Sequence, residues 1–418
     1  MTDETLDEAN DLLVVPLPFS VVAIEGKGYG CVADRAIAVG ERLCAEAPIL
    51  RVGPGLPPLE RSVYALSSAN RKKFFGLTQN TARFGDTPTA EGTFATNAHP
   101  CHEFAMVRGI FPTVARINHA CDNNACYRWN ANLDRLTVHA IRPIAAGDEI
   151  CVSYSYSGSS RSQRQKHLRD TFGFTCACTK CELVGAALYE SELRLKQIGD
   201  VTECVRDLCA GGELLRDVAK RDTTAFLNQL EGRYELIQAE FPDGHADGVE
   251  HYLQAFVELC ERCAAKLTRL LAQAQAAEEA VPAPAAVACA SAQSKATQPP
   301  CQPITACQPT PHSEPAEPAF LGSSSAGGPA GSPAASLRAK LKAYLGAARQ
   351  WAALSRDVTR AIKGDDSPAF ELWTTAIDEG LWNDDDQEAG RLRLERPFYV
   401  RAVKAGFQRN PYCHRLLV

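Results

Sequence analysis

The stretch "RINHACDNN", from Arg116 to Asn124, decides how the rest of this sequence is interpreted. It contains an asparagine–histidine pair, a cysteine two residues after the histidine, and then an acidic residue and two amides. Such a stretch fits three alternatives: an active-site strand, one part of a metal site, or a polar turn. Because the chain contains 17 cysteines, the metal alternative has to be weighed against the other cysteine positions.

Composition places the chain among ordinary globular proteins. The 418 residues are 45% apolar and 22% charged, which is enough for two or three domains with a sizeable core. The formal net charge of −6 argues against nucleic acid as the main partner, because nucleic-acid-binding domains usually carry a basic surface. It fits a basic protein or peptide substrate slightly better.

The first residues, "MTDETLDEAND", are acidic, and the apolar run that follows them is short and broken by Pro16 and Pro18. That pattern is not a signal peptide, and no run approaches 18 consecutive apolar residues. We therefore expect an intracellular location in the nucleus, the cytoplasm or both. In a reducing compartment the cysteines are expected to be thiols or metal ligands.

The composition changes along the chain and predicts its organisation. Short β-rich runs separated by glycine, proline and aspartate come first, among them a strand expected over Ile150–Tyr156, and helical periodicity follows. A later segment holds 11 of the 25 prolines and cannot bury enough apolar surface to fold. A helix capped by Ser336 and another around residues 368–381 are expected after it. The predicted division is a disordered N-terminus (1–14), a β-rich domain (15–182) with an insert at about 53–115, a helical region (183–280), a disordered linker (281–335) and a helical C-terminal region (336–418).

The sharpest local signal is "FTCACTKCEL", which places Cys176, Cys178 and Cys181 in a C-x-C-x-x-C pattern. Three thiolates this close can surround one ion, but a structural zinc needs four ligands, so one must come from elsewhere. Two weaker candidates are the pairs Cys260/Cys263 and Cys101/His102. The first pair lies among apolar residues of a helix and is expected to be buried core thiols, and the second is expected to belong to a loop without metal.

Four segments in this order resemble the SET domain of protein lysine methyltransferases. They are "EGKGYGCVADRAIAVGERLCAEAPIL" (Glu25–Leu50), "RINHACDNNA" (Arg116–Ala125), "LTVHAIRPIAAGDEICVSYSY" (Leu136–Tyr156) and "FGFTCACTKC" (Phe172–Cys181). Together with "GTFATNAH" before the second segment, they are most similar to the SMYD branch. The cysteine-rich MYND finger of that branch is not expected here, because residues 51–100 contain no cysteine.

The resemblance implies an α+β fold: a β-rich SET domain with a knot-like crossing near Asn118 and Tyr154, a post-SET zinc segment, and an α-helical C-terminal region. It implies methyl transfer from S-adenosylmethionine to a lysine of a protein substrate, possible targets being histones or other basic proteins, with no membrane partner. Tyr154 would be catalytic and Tyr156 would line the lysine channel. The implied cofactor-binding residues are Lys27, Gly28, Tyr29, Gly30, Asn97, Arg116, Asn118, His119, Tyr154, Phe172 and Phe174, of which the two phenylalanines would cover the adenine.

The resemblance also implies the missing metal ligand. In SET enzymes with three post-SET cysteines the fourth ligand lies in the asparagine–histidine segment, which here is Cys121, with Cys126 as the nearest rival. The ion would be a structural Zn²⁺ held by Cys121, Cys176, Cys178 and Cys181.

Two other functions fit parts of the sequence. Ala120 and Asn123 stand where the family usually has serine and proline, which leaves open an inactive SET scaffold that binds partners through its helical half. A zinc-dependent binding module without a cofactor would explain Cys176–Cys181 but not the other three segments. The sequence does not identify the substrate protein or the number of methyl groups transferred.

Overall fold

A computed structural model describes residues 16–101, 106–155, 158–209, 217–242, 249–279 and 333–382. Several predictions lie outside these residues: the disordered N-terminus, Tyr156, His102, most of the linker, and everything after residue 382. The described part has ten strands followed by mostly helical chain, which confirms the α+β prediction. The strands are β1 (Phe19–Ile24), β2 (Gly28–Ala33), β3 (Arg42–Glu46), β4 (Leu50–Val52), β5 (His99–Pro100), β6 (Arg108–Ile110), β7 (Asn118–His119), β8 (Ala125–Asn130), β9 (Arg135–Ala140) and β10 (Glu149–Val152).

The ten α-helices of the described residues fall into two groups. Four short ones lie in the predicted insert, and six follow β10. They are α1 (Leu59–Tyr64), α2 (Ser68–Phe75), α3 (Thr81–Phe84), α4 (Ala90–Asn97), α5 (Arg161–Phe172), α6 (Gly185–Cys209), α7 (Thr223–Glu240), α8 (Val249–Glu279), α9 (Pro333–Lys363) and α10 (Pro368–Asp378). None of them is long and apolar enough to cross a bilayer.

Three small sheets form the β-rich part. Their strand orders are β1-β2-β10-β7, β3-β9-β8 and β4-β6-β5. All pairs are antiparallel except β7 with β10, where Asn118 pairs with Cys151 and His119 with Val152. The first two sheets bury a common apolar core, whose fully buried members include Cys31, Ile117, Val138 and Ile150.

The parallel pair β7–β10 is only two residues long, and the side chain of Asn124 extends it. Its Nδ2 donates to the carbonyl of Glu149 at 2.9 Å, and its Oδ1 accepts from the amide of Cys151 at 2.8 Å. A buried amide that satisfies one donor and one acceptor of an adjacent strand replaces ladder hydrogen bonds. Asn124, the last residue of the stretch Arg116–Asn124, is therefore a structural part of this sheet.

β10 is shorter than predicted. The sequence predicted a strand over Ile150–Tyr156, but the strand ends at Val152. Tyr154 lies two residues beyond it in a bend, so its backbone is held by side chains instead of a ladder.

The helical half packs around its own core. The long helices α8 and α9 pack antiparallel, since Glu250 lies next to Lys363 and Phe256 next to Trp351. Both helices have a strongly one-sided apolar pattern. The core is filled by large side chains such as Phe256, Tyr344, Trp351 and Trp373. Cys260 and Cys263 are fully buried there, as predicted for core thiols.

The start of α9 corrects one prediction. The helix begins at Pro333 and not after Ser336, so residues 333–335 belong to the helix and not to the linker. Proline is well suited to the first turn, where its missing N–H would have no intrahelical partner. The following helix, α10, begins at Pro368 with Ser367 as its N-cap, close to the predicted start.

Buried charges join the helical half to the β-rich half. Glu250 of α8 is 1% exposed and faces Arg128 at 3.4 Å and Lys363 at 3.1 Å. On the other side, Lys180 of the C-x-C-x-x-C loop pairs with buried Glu240 of α7 at 2.8 Å. Glu240 also accepts from Arg194 at 3.0 Å. Buried charges with only one correct partner geometry fix the relative placement of the two halves.

His139 links β9 to Arg42, which in turn pairs with Asp366 of the helical half at 2.5 Å. The histidine lies buried in β9, where its Nε2 accepts a hydrogen bond from the Nε of Arg42 at 3.2 Å. Burial, with the charge of Arg42, lowers the pKa of His139 to about 4. Protonation would place an N–H against the N–H of Arg42, so the folded state keeps this histidine neutral.

We therefore expect the free energy of unfolding to depend on pH, and we expect His139→Gln to weaken this pH dependence. The unfolded chain takes up the proton below about pH 6.5, whereas the folded chain does so only near pH 4. Stability is then fully present above pH 6.5 and is lost as the pH falls toward 4, by at most about 1.4 kcal/mol per pH unit from this residue. Glutamine keeps an acceptor for Arg42 but does not titrate. Urea unfolding at pH 7.0 and 5.5 measures the difference, and equal pH slopes for the two proteins would contradict it.

Candidate active site

Tyr154 is held at each of its three polar groups. Its amide donates to Nδ1 of His119 at 2.9 Å, its hydroxyl donates to the carbonyl of Ile117 at 2.6 Å, and its carbonyl lies 3.1 Å from Nε2 of His167. Burial raises the pKa of Tyr154, so the phenol is neutral and can donate to Ile117. The side chain therefore has one defined orientation.

Tyr154 forms part of the wall of a cavity of about 550 Å³. This volume is typical of small-molecule sites. Eight of the residues predicted for cofactor binding line the cavity: Lys27, Tyr29, Asn97, Arg116, Asn118, Tyr154, Phe172 and Phe174.

Gly28 and Gly30 contribute through the backbone instead of lining the cavity. Gly28 has φ +75°, a conformation that favours glycine, in the turn that carries Lys27. At Gly30 an added Cβ would lie 2.5 Å from Nδ2 of Asn118, which is much too close. Gly30 therefore lets the Asn118 side chain approach β2.

An ion pair organises one end of the cavity. Nζ of Lys27 lies 2.6 Å from Glu149, and Glu149 also accepts a hydrogen bond from Nδ2 of Asn118 at 3.0 Å. Glu149 was not among the predicted site residues, although it ends the Gly-Asp-Glu turn of the third motif. It fixes two predicted side chains, Asn118 through Oε1 and Lys27 through Oε2. An ammonium has three N–H donors, so Lys27 can still bind an anionic group.

Asn97 and Arg116 are each oriented by backbone carbonyls. Nδ2 of Asn97 donates to Thr78 at 2.7 Å and to Thr93 at 2.8 Å. Both amide hydrogens are thus used, and its Oδ1 is the group left for a ligand. Arg116 donates to the carbonyl of Gly76 at 2.7 Å and lies 5.4 Å over the ring of Tyr29.

The two predicted aromatic residues occupy different positions. The ring centroid of Phe172 is 4.7 Å from that of Tyr154, whereas the ring centroid of Phe174 is 6.4 Å from that of Tyr154 and 6.0 Å from that of His119. Phe172 therefore packs directly beside the catalytic candidate, and Phe174 lies farther from Tyr154, near His119. Sequence reasoning gave both the same role and could not separate them.

Eleven further residues line the cavity: four belong to the GTFATNAH stretch, and the other seven had no recognisable signal in the sequence. Most of them belong to the insert and to β8, and two belong to α5. The additional lining residues are Thr78, Ala95, Thr96, Ala98, His99, Pro100, Arg108, Ala115, Tyr127, His167 and Thr171.

Cys121 and the three cysteines of the C-x-C-x-x-C motif form one cluster. Their four sulfur atoms all lie within 4.8 Å of one another, and Cys121 and Cys181 are 3.5 Å apart. Four sulfurs about 2.3 Å from a tetrahedral zinc would be about 3.8 Å from each other. Cys126, the rival ligand, is directed instead toward the carbonyl of Ile362 at 3.4 Å.

The surroundings of the cluster also suit a cation with four thiolates. Hydrogen bonds among the four thiols lower the pKa of Cys178 and Cys181, which favours their thiolate forms, and raise the pKa of Cys121 and Cys176. Arg164 of α5 is 3% exposed, and its guanidinium lies against the thiols of Cys121 and Cys181. Zinc with four thiolates carries a net charge of −2, so a buried arginine beside it is electrostatically favourable. Sequence reasoning missed Arg164.

His119 connects this cluster to Tyr154. Its Nε2 lies 3.3 Å from Sγ of Cys121, while Nδ1 accepts from the Tyr154 amide. His119 is not among the described residues that line the cavity. Burial lowers its pKa to about 4, so the ring is neutral and keeps Nδ1 as an acceptor.

Comparison with known proteins identifies the same region. The SET domain family model matches residues 28–155. The histone-lysine N-methyltransferase set5 of Schizosaccharomyces pombe is 32% identical over 226 residues, which are 52% of this chain and 68% of set5. The histone-lysine N-methyltransferase SMYD3 of Mus musculus is 34% identical over 74 residues, 18% of this chain and 17% of SMYD3. A solved structure, the SET domain of LSMT bound to lysine and AdoHcy, covers 66% of this chain and 82% of that chain at 14% identity and a TM-score of 0.27, a likeness too slight to carry an argument.

The contact of Arg164 with the thiols predicts that the arginine stabilises bound zinc. Arg164→Met should weaken zinc binding by about 10- to 100-fold, as loss of a group supporting a metal ligand does. Arg164→Lys keeps the charge and should lose less. Zinc retained during titration with a chelator measures the effect. Arg169→Met, an exposed arginine on the same helix, is the matched control, and equal zinc retention by both methionine variants would contradict the role.

Proposed function

This chain belongs to the family of SET-domain protein-lysine methyltransferases, and we propose that its cavity brings S-adenosylmethionine and a substrate lysine together at Tyr154. The reaction is methyl transfer to the amine of a lysine side chain in a protein. The observation that carries the proposal is the shared wall: the Tyr154 side chain, fixed at its hydroxyl, lines the same cavity as Lys27, Asn97 and Asn118.

The polar end of the cavity suits the amino-acid part of the cofactor. S-adenosylmethionine supplies a methyl group on a positively charged sulfur, together with an α-amino and an α-carboxylate group. Lys27 keeps N–H donors for the carboxylate, and Oδ1 of Asn97 is an acceptor for the amino group. Both side chains are already oriented by the protein, so little ordering is needed on binding.

The two phenylalanines contact different parts of the bound molecules. Phe174 offers an apolar face for the adenine, a flat π surface. Phe172 packs beside Tyr154 and forms the wall of the lysine channel. Phe172 would then contact the lysine side chain and not the cofactor, which differs from the adenine-covering role that the resemblance implied.

Tyr154 orients the amine. Its hydroxyl hydrogen is directed at Ile117, which leaves the oxygen lone pairs to accept an N–H of the lysine. A buried, largely apolar channel favours the neutral amine over the ammonium, and the neutral amine is the nucleophile. The rate gain comes from holding the nitrogen in line with the methyl carbon.

Cys121, Cys176, Cys178 and Cys181 hold a structural zinc. Four cysteine ligands leave no open position for a reactive water, so the ion takes no part in the chemistry. It fixes the loop that begins just after Phe174, and through His119 it supports Tyr154. Residues 15–182 would then form the catalytic SET and post-SET unit, with the helical regions as its support.

The substrate is a protein, and we place histones and other basic proteins first. The names of the relatives specify histone lysines, and the net charge of −6 favours a basic partner. A nuclear or cytoplasmic location follows from such a substrate. Ala120 and Asn123, which had suggested an inactive scaffold, do not favour that alternative, because neither belongs to the cavity lining.

Tyr154→Phe should reduce methyl transfer by about 100-fold or more, the typical cost of removing one oriented hydrogen-bonding group from a reacting centre. Binding of S-adenosylmethionine and zinc content should change little. Transfer of tritiated methyl groups to histones and to proteins of a cell extract measures the activity, and calorimetry measures cofactor binding.

Tyr64→Phe is the matched control, since Tyr64 is 81% exposed. If Tyr154→Phe transferred methyl groups as fast as Tyr64→Phe, the role of Tyr154 would be disproved. Zinc-loaded wild-type protein that does not bind S-adenosylmethionine would disprove the proposed function itself.

A further inference from the structure

His167 of α5 lies in the cavity wall beside Tyr154, in none of the four motif segments. Its Nε2 is 3.1 Å from the carbonyl oxygen of Tyr154. Its ring meets Phe172 edge-on, with centroids 5.8 Å apart. His167 therefore contacts both aromatic residues of the proposed lysine channel.

The partner atoms define the hydrogen-bonding state of the ring. A carbonyl oxygen can only accept, so Nε2 of His167 must carry the hydrogen. In the neutral ring Nδ1 is then the acceptor, and the hydroxyl of Thr171 lies 3.4 Å from it. His119 has the opposite role on the other side of Tyr154, where its Nδ1 accepts from the Tyr154 amide.

These two rings replace the ladder that the backbone lacks. β10 ends at Val152, so the peptide groups of Tyr154 are beyond the last paired residue of that strand. One imidazole satisfies the amide and the other satisfies the carbonyl. The hydroxyl position of Tyr154 depends on this backbone, because only two χ angles separate them.

α5, which carries His167, is itself anchored to the zinc loop. Gln165 donates to the carbonyl of Cys176 at 2.6 Å and accepts from its amide at 3.0 Å. Arg161 donates to the carbonyl of Cys181 at 3.0 Å. His167 is therefore a rigid support and not a side chain on a free helix.

We propose that His167 is a positioning residue for methyl transfer: its Nε2–H fixes the carbonyl of Tyr154 and thereby the tyrosine hydroxyl. The proposal rests on the proposed function, and it adds a residue outside the SET motifs to the site. The hydrogen bond, and not the volume of the ring, is the part that matters.

Two substitutions separate the hydrogen bond from the ring. In His167→Gln the amide nitrogen can donate to the same carbonyl, whereas His167→Leu has no donor. We expect kcat to fall about 10- to 100-fold in His167→Leu, as for a small displacement of a reacting group. In His167→Gln it should stay within about threefold of wild type. The KM for the protein substrate, cofactor affinity and zinc content should be nearly unchanged in both.

A wild-type kcat in His167→Leu would overturn the proposal, and so would an equal loss of kcat in both variants. A second measurement does not depend on turnover. In ¹³C-tyrosine-labelled protein, the ring signals of Tyr154, assigned with Tyr154→Phe, should move in His167→Leu and stay in place in His167→Gln. If wild-type protein transfers no methyl groups, the proposed function fails. The positioning role is tested separately by the ring signals of Tyr154, and it would be overturned if these signals did not move in His167→Leu.

Discussion

The parallel pairing of β7 with β10 is the constraint on which the site depends. It brings Asn118 and His119 beside the chain segment that leads to Tyr154, although the two are more than 30 residues apart. A two-residue pair is weak, and side chains strengthen it: Asn124 bonds to both sides of Ile150 on β10, and His119 takes the amide of Tyr154. β7 leads directly into Cys121, so the pairing of β7 with β10 brings the cofactor end, the catalytic tyrosine and one metal ligand together.

Buried charge supports this segment from outside. Arg164 lies against two thiols, and Lys180, between the second and third cysteines of the motif, pairs with Glu240 of the helical half. Each charge is nearly removed from water, so each is tolerable only with its partner in place. The helical half thus contributes to the catalytic unit without entering the cavity, because it holds the outer side of the zinc loop.

The motif residues were predictable because their spacing along the chain is short. The C-x-C-x-x-C loop, the Gly-x-Gly turn and the Gly-Asp-Glu turn each encode a local geometry. Their resemblance to SET segments supplied the long-range link to Cys121, which four clustered sulfurs now support. Glu149 at the start of β10 was missed, and so were Arg164 and His167 on the polar helix α5. In the sequence each of them looks like a solvent-exposed residue. Only their partners distinguish them, and those partners are distant in sequence.

The sequence by itself determined the α+β division, the family, and eight of the residues that line the cavity, because strand alternation, glycine turns and cysteine spacing are local properties. The tertiary structure decided which of these side chains face the cavity. It placed Phe172 closer than Phe174 to Tyr154, turned His119 toward Cys121, ended β10 at Val152, and brought His167 to the Tyr154 carbonyl. Each of these outcomes depends on a contact between distant segments, and side-chain direction is fixed only when such contacts form.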